Sequence, residues 1–383
     1  MLYRNKTFLL LGAVLLFIET SAQLLVPKFE APIKIESIST DGEEIAPIPF
    51  EKGDKLFFVR TNVNGGAKDR KFGQEIWESK RIEGKWQTPV NIFEEANDRG
   101  NNGVIGSSKN GDKIYVFNSI QSRRKLARGI AATEREKENR WSPLKKIKVE
   151  GFEIGEGYYS FFINSSEDVL LISKPADDKT VNEDLFVSLK KEGKWSKIVN
   201  LGSTINTKGY EISPFLSDDK KALYFASNGH GGMGSADVFV SYRLGEGWTN
   251  WTNPLNLGPP INSSHFDAYF TIGNNKEVFF SSNREGNLSN IYTTKISDSV
   301  SVKGAREAWV ENQFLYNGLP ADSVRLSIYN LQGDLVDSVI TDAYGKFNFK
   351  KLSADEKYLI QIAEEDLADY PEGIIYEVDT KGN

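Results

Sequence analysis

The sequence predicts an all-β chain: a five-bladed β-propeller closed by its own N-terminal strand, followed by a smaller β unit of another kind. Three landmarks carry that expectation. A tryptophan recurs at Trp86, Trp141, Trp195 and Trp248, at spacings of 55, 54 and 53 residues. A short apolar run recurs as Leu56-Phe57-Phe58, Ile114-Tyr115-Val116, Val169-Leu170-Leu171, Leu223-Tyr224-Phe225 and Val278-Phe279-Phe280. A second run follows each one, at Ile76-Trp77, Ile130-Ala131, Leu185-Phe186, Val238-Phe239 and Ile291-Tyr292. Independent landmarks that hold one period mark a repeat architecture.

The elements follow in chain order. Arg4 and Lys6 precede an apolar run from Phe8 to Ile18, and Thr20-Ser21-Ala22 supplies small residues before Gln23. That pattern reads as a secretory signal peptide over residues 1–22. The run is too short to span a bilayer as a helix, which takes about 20 apolar residues. Next, Pro32-Ile33-Lys34-Ile35 stands as far before Leu56 as Pro254-Leu255-Asn256-Leu257 stands before Val278. The N-terminal strand is therefore expected to complete the fifth blade, and closure removes sheet edges that invite aggregation. Within each unit the apolar run follows a polar turn, such as Asn110-Gly111-Asp112-Lys113 or Ser217-Asp218-Asp219-Lys220. Asn, Asp and Gly there suit tight hairpins. Each unit reads as four antiparallel strands, and such units arranged around an axis make a propeller over residues 23–300. The period stops after Ser301, and residues 301–383 form the second unit.

Composition narrows the function. The chain of 383 residues is 39% hydrophobic and 26% charged, which is globular composition. Its net charge of −6 argues against nucleic acid or anionic lipid as partner. With no cysteine and two histidines, a thiol nucleophile, a disulfide framework and a His-rich metal site are all out of reach. Gly-x-Ser-x-Gly is absent, and the glycine-rich Gly229–Gly234 loop precedes no helix, so it reads as a flexible hairpin rather than an anion site.

The repeats carry a resemblance. Ser213-Pro214-Phe215-Leu216-Ser217-Asp218-Asp219-Lys220, with Leu223 to Asn228, resembles the WD40-like (PD40) repeat of TolB-type propellers, and Phe279-Phe280-Ser281-Ser282-Asn283-Arg284 repeats it. Asn256-Leu257-Gly258-Pro259-Pro260-Ile261-Asn262 is similar to the form found in exported Bacteroidota proteins. In the second unit, Thr341-Asp342-Ala343-Tyr344-Gly345-Lys346-Phe347 resembles the turn of the carboxypeptidase regulatory-like domain, which implies a small transthyretin-like β-sandwich. The order of the two units is similar to Bacteroidota OmpA-family proteins and type IX secretion accessory proteins, without the OmpA-like domain. The resemblance implies an envelope protein and no OmpA-type peptidoglycan binding.

Several residues stand out as candidate sites. Glu44, Glu156, Glu211 and Asp267 fall near the starts of first strands, which line a propeller's channel. They form either a channel rim able to gather a cation or a solvated acidic edge. Arg123, Arg124, Lys125 and Arg128 open a basic block that runs to Lys148. It is either a charged blade edge or a docking patch for an acidic partner. The periodic tryptophans are expected to pack blade on blade. No catalytic residue, cofactor or metal ligand is expected, and the chain is read as no enzyme. The leading expectation is an exported scaffold that binds outer-membrane or periplasmic proteins, within a type IX secretion machine, and is not itself inserted in the membrane. The alternative is a glycan-binding module in the periplasm or at the cell surface.

Overall fold

The computed structural model describes residues 24–50, 53–61, 73–91, 97, 101–122, 125–137, 140–176, 182–302, 307–316, 319–330, 335–353, 357–363, 366 and 375–379. The expected signal peptide thus lies outside the described residues. The fold is all-β: apart from turns and short 3-10 stretches such as Asn274–Lys276, the described elements are strands, paired antiparallel except where Ile163 meets Gly106 in parallel and joins two strand sets into one ten-stranded sheet. Among the described residues no helix is long and apolar enough to cross a membrane. The chain divides into two compact units, Leu25–Val300 and a second that takes in Ser301–Asn383.

In the larger unit the strands come in successive sets. The first set is Glu43–Phe50, Lys55–Thr61, Gln74–Ile82 and Lys85–Trp86. The second is Gly103–Ser107, Lys113–Ser122 and Lys125–Lys137, with Arg140–Trp141 and Lys145–Ile147 both pairing with the last of these. The third is Ser160–Ile163, Val169–Pro175 and Glu183–Lys191, flanked by Lys194–Trp195 and Val199–Asn200. The fourth is Glu211–Leu216, Ala222–Ser227, Asp237–Tyr242 and Leu255–Asn256. The fifth is Asp267–Ile272, Glu277–Ser282 and Asn290–Val302. Its outer edge is covered by Leu24–Phe29 and Ile33–Lys34 from the other end of the unit. Ile33 pairs with Thr293 and Lys34 with Tyr292, as Leu255 pairs with Val240 and Asn256 with Phe239.

The second strands are apolar on both faces because both faces are covered, the condition that yields unbroken apolar runs instead of alternation. Leu56 and Phe58 pack with Phe279 and Ile291 of the fifth set, whereas Phe57 between them packs with Ile114 and Val116 of the second. Tyr115 and Leu170 share a cluster that joins the second and third sets. Leu171 and Leu223 join the third and fourth, and Tyr224 and Phe280 the fourth and fifth. Each tryptophan of the period seats on the preceding junction: Trp86 on the fifth–first, Trp141 on the first–second, Trp195 in the second–third, Trp248 on the third–fourth. A cation from the third strand covers each indole, with Arg81 4.2 Å from Trp86 and Arg243 4.6 Å from Trp248.

A repeated asparagine clamp holds the third strands. Asn206 accepts from the Leu185 N–H at 2.7 Å, donates to the Leu185 carbonyl at 3.0 Å, and donates to Asn200 at 2.9 Å. Asn262 treats Val238 and Asn256 in the same way, and Asn97 does so for Ile76 and Asn91. The partners are six residues apart each time, so Asn256-Leu257-Gly258-Pro259-Pro260-Ile261-Asn262 is a structural loop that satisfies buried backbone groups.

The second unit pairs Glu307–Gln313 with Lys346–Ser353, beside a sheet ordered Leu335–Ile340, Arg325–Asn330, Lys357–Ile362 and Ile375–Asp379. Phe314, Val324, Ile328, Phe349 and Ile360 make its core. The Thr341–Phe347 signature is explained by its bonds. Thr341 bridges the Val324 N–H at 3.0 Å and the Ala321 carbonyl at 2.7 Å. Asp342 accepts from Tyr344 and Lys346 N–H groups, each at 2.9 Å. Gly345 has φ +69°, and a Cβ there would stand 2.4 Å from the Phe314 carbonyl oxygen.

Two outcomes follow. Asn206→Ala leaves the buried Leu185 N–H without its partner and should cost about 1–3 kcal/mol, read as a fall in denaturation midpoint. Removing residues 23–38 uncovers the edge of Asn290–Val302, so thermal melting with light scattering should show aggregation or a much lower midpoint. A truncated chain that melts with the intact one would show that this edge needs no cover.

Candidate functional site

The carboxylates singled out by sequence are not a rim. Glu44, Glu211 and Asp267 are fully buried. Each is held by the hydroxyl residue four positions earlier, through both its backbone N–H and its side chain. The two bonds measure 3.2 and 2.6 Å from Thr40 to Glu44, 2.9 and 2.7 Å from Thr207 to Glu211, and 2.6 and 2.7 Å from Ser263 to Asp267. The end of the second strand supplies the other partner: Arg60 at 2.8 Å, Ser227 at 2.8 Å and Arg284 at 2.8 Å. Arg60 also donates to the Ile38 carbonyl at 2.8 Å, and Arg284 to those of Pro260 and Ile261. His230 takes the same place in the fourth set, its Nε2 2.8 Å from the Ile205 carbonyl and 3.9 Å from Glu211. A buried charge needs such partners. These carboxylates are therefore committed to the fold and offer no oxygen to a dissolved ion.

The remaining expected residues separate. Glu156 is exposed. Arg123 and Arg124 lie outside the described residues, and Lys125 is placed by its backbone alone, at the start of Lys125–Lys137. Arg128 is exposed and donates through Nη1 to the Gly157 carbonyl at 2.8 Å. The Gly229–Gly234 loop is pinned rather than free. Met233 N–H donates to Asp237 at 2.6 Å, and a Cβ on Gly232 would stand 1.6 Å from that carboxylate. Among the described residues no group of three or more His, Asp or Glu is placed to hold a metal ion.

A different group of residues forms a pocket of about 350 Å³ at the end where the first strands begin. Glu43, Tyr210 and Phe266 line it, each one position before a buried carboxylate. Period-two alternation sends Glu44 inward and leaves Glu43 facing the pocket. Gln74 and Glu183 enter from the heads of third strands, and Tyr158 and Tyr269 complete the wall. Ile45, Gln74, Tyr158 and Tyr269 also line a narrower cavity of about 120 Å³, walled further by Pro47, Val104, Phe161 and Phe270 from first strands.

Bulges aim these walls. Register shifts fall between Ile45 and Ile48, Ile212 and Phe215, and Ala268 and Thr271. Ala46, Ser213 and Tyr269 sit there at φ 54°, 49° and 55°, a left-handed conformation that costs roughly 1–3 kcal/mol for such residues. Hydrogen bonds between sets hold it: Ser213 N–H to Ser160 at 2.9 Å, Tyr269 N–H to Ser213 at 3.0 Å, and Thr271 hydroxyl to the Pro47 carbonyl at 3.0 Å. The Tyr158 and Tyr269 phenols hydrogen-bond to each other, and the Tyr210 hydroxyl donates to the Ser235 carbonyl at 2.5 Å.

Electrostatics set the protonation. Burial pushes the Glu183 carboxyl above the ordinary range, its own backbone N–H pulling the other way, and the residue is only 8% exposed. Burial likewise holds the Tyr269 phenol well above its usual range, with Tyr158, Glu43 and Glu183 adding to the rise. The pocket thus combines aromatic faces, hydroxyl and amide groups, and the carboxyl groups of Glu43 and Glu183, the latter raised by burial.

No family model and no curated protein matches the chain, so neither the TolB-type repeat nor the regulatory-like domain gains support there. Solved structures do match. The chain is similar to an endo-arabinase from Bacteroides thetaiotaomicron, at 13% identity over 70% of this chain and 97% of that one, with TM-score 0.44. An α-L-arabinofuranosidase from Podospora anserina matches at 11% identity over 70% and 96%, with TM-score 0.45. A glycosyl hydrolase from Bacteroides ovatus matches at 7% identity over 74% and 93%, with TM-score 0.42. This finding corrects the expectation of no enzyme. That expectation rested on missing thiol, serine and metal motifs, whereas glycoside hydrolysis needs only two carboxyl groups and leaves no such motif in a sequence.

Sequence reasoning missed Glu43, Gln74, Glu183 and the tyrosines. A signal was present, since the position that holds Glu183 in the third set holds Ala236 and Ser289 in the fourth and fifth. A raised carboxyl favours folding while protonated and opposes it once ionised. Stability therefore falls as pH rises from the ordinary glutamate range through the raised value. Glu183→Gln should raise the melting temperature at neutral pH, with the gain vanishing below about pH 4. An equal gain at both pH values would remove the titration from the account.

Proposed function

We propose that Leu25–Val300 is a five-bladed propeller whose first-strand pocket binds a glycan. The closed run of five core clusters, in which the last returns to the first set, supports the propeller. The pocket's make-up carries the glycan reading. Tyr158, Tyr210, Phe266 and Tyr269 offer ring faces, and Glu43, Gln74 and Glu183 offer polar groups that suit a ring of hydroxyls. We take the second unit as the small β-sandwich of the regulatory-like type and the whole as an exported envelope protein.

Glu183 favours a further step at the same site, cleavage of the bound glycan. A carboxyl whose pKa is raised by burial is suited to give a proton to a leaving glycosidic oxygen, while Glu43, as the second carboxyl group, assists the attacking water or stabilises the developing positive charge.

Binding is tested by titrating the chain with a panel of neutral and acidic oligosaccharides. Tyr210→Ala should weaken a positive interaction roughly three- to tenfold with the melting temperature little changed, and Tyr210→Phe should keep most of it. Glu183→Gln should retain binding and abolish any release of reducing ends. A panel without a single ligand would refute the glycan reading.

A further inference from the structure

Two grooves adjoin the narrow cavity on the side of the second and third sets. The first, of about 1140 Å³, shares Arg128 and Gly157 with that cavity. The second, of about 830 Å³, shares Lys146, Ile147, Lys148 and Val149 with the first. The shared residues make one path from the pocket, past Arg128 and the strand Lys145–Ile147, to the outer edge at Lys194 and Trp195. The path is lined by cations although the chain as a whole carries −6. Among the described residues Arg128 is the one charged side chain in the lining of the narrow cavity, and the one hydrogen bond it makes there goes from Nη1 to the Gly157 carbonyl. Lys146, Lys148 and Lys194 are exposed and make no ion pair among the described residues. Lys190 lies over the Trp195 ring at 5.8 Å, on the floor of the outer groove. Glu134 and Glu150, and Glu153 with Glu156, also line the two grooves, so cations outnumber acids without excluding them.

Resting on the glycan reading above, we infer that the ligand is a polyanionic polysaccharide, a polyuronate chain, with one end in the tyrosine pocket and its length along this path. The pocket supplies ring faces, and the path supplies a cation at successive points for carboxylates that leave the pocket with the chain. Lysines on an outer strand also keep a sheet edge from pairing with another chain, a role that demands no ligand. The two roles differ in what they predict for binding.

The test titrates the full chain with polygalacturonate and with the same polymer fully methyl-esterified, which keeps the sugar backbone and removes its charge. At low salt the acid form should bind roughly tenfold more tightly or better. At about 1 M salt, where the screening length is about 3 Å, the two forms should bind alike. The triple change Lys146→Glu, Lys148→Glu and Lys194→Glu should erase the preference while leaving the ester's affinity unchanged. Lys→Gln at the same positions serves if the reversed chain fails to fold. Equal affinity for the two polymers at low salt overturns the inference and leaves the glycan pocket standing. A preference that survives the lysine changes overturns it as well. Binding of neither polymer defeats the inference and counts against the pocket. Polyglutamate that binds more tightly than polygalacturonate would assign the path to an acidic protein segment.

Discussion

A carboxylate buried at the head of a first strand is the constraint from which much of this fold follows. Glu44, Glu211 and Asp267 have no exposed surface, and an ionised carboxylate in that position is tolerable only with its oxygens filled. Filling them fixes the chain on three sides at once. The Thr or Ser four residues earlier must turn back, so the loop from the preceding set has one course. The second strand must place a partner at or just past its end: Arg60, Ser227 or Arg284. Arg284 then lies 5.0 Å from the Phe280 and Tyr292 rings and ties the loop carbonyls to the second and third strands. A knot of charge thereby sets the path of the backbone. It also decides that the residue just before the carboxylate, Glu43, Tyr210 or Phe266, faces the pocket.

The scaffold was more legible in the sequence than the site, for a physical reason. Periodic apolar runs and tryptophans report packing, and packing repeats with the set, so even the strand at Ile33–Lys34 could be placed from spacing. Solvent exposure does not repeat in that way. Glu43 and Glu44 are adjacent acids, and only the strand's alternation separates the one in the pocket from the one in the knot. Gly229–Gly234 read as flexible because glycines permit motion. Here they permit close approach instead, of Gly232 to Asp237 and of Gly229 to Thr207. Trp251, which had no place in the period, is a core residue whose indole donates to the Trp248 carbonyl at 2.8 Å.

The pocket owes its shape to strain that the knots and bonds between sets can bear. Three residues other than glycine hold left-handed conformations in first strands, and each breaks the register of its own hairpin. A strand without the bulge would run straight on with its side chains in simple alternation. With it, Tyr269 turns toward Tyr158 while Thr271 returns to bond the first set. Neighbouring sets therefore define the pocket jointly, and no single repeat contains enough of it to be read alone.

The sets are not equivalent, and their difference organises the chemistry. The first, fourth and fifth carry the buried carboxylate. Counted from the third strands, where Leu185 and Val238 are equivalent, Ser160 with Ser173 matches Ile212 with Ala226, so the carboxylate position falls on Tyr159 in the third set. A tyrosine there needs no cation from the second strand, and its hydroxyl accepts the Gly155 N–H from four residues earlier at 3.0 Å. The segment before it is accordingly freed from the knot's geometry: Glu153 and Glu156 are exposed, and Gly157 offers its carbonyl to Arg128. The two large grooves open beside this segment, between the second and third sets. The three knotted sets give the pocket Glu43, Tyr210, Phe266 and Tyr269. The third set, which like the second lacks the knot, gives it Tyr158 and Glu183, together with an open way out toward the lysines. The absence of the buried carboxylate from the third set thus leaves an opening beside the pocket that the knotted sets help to define.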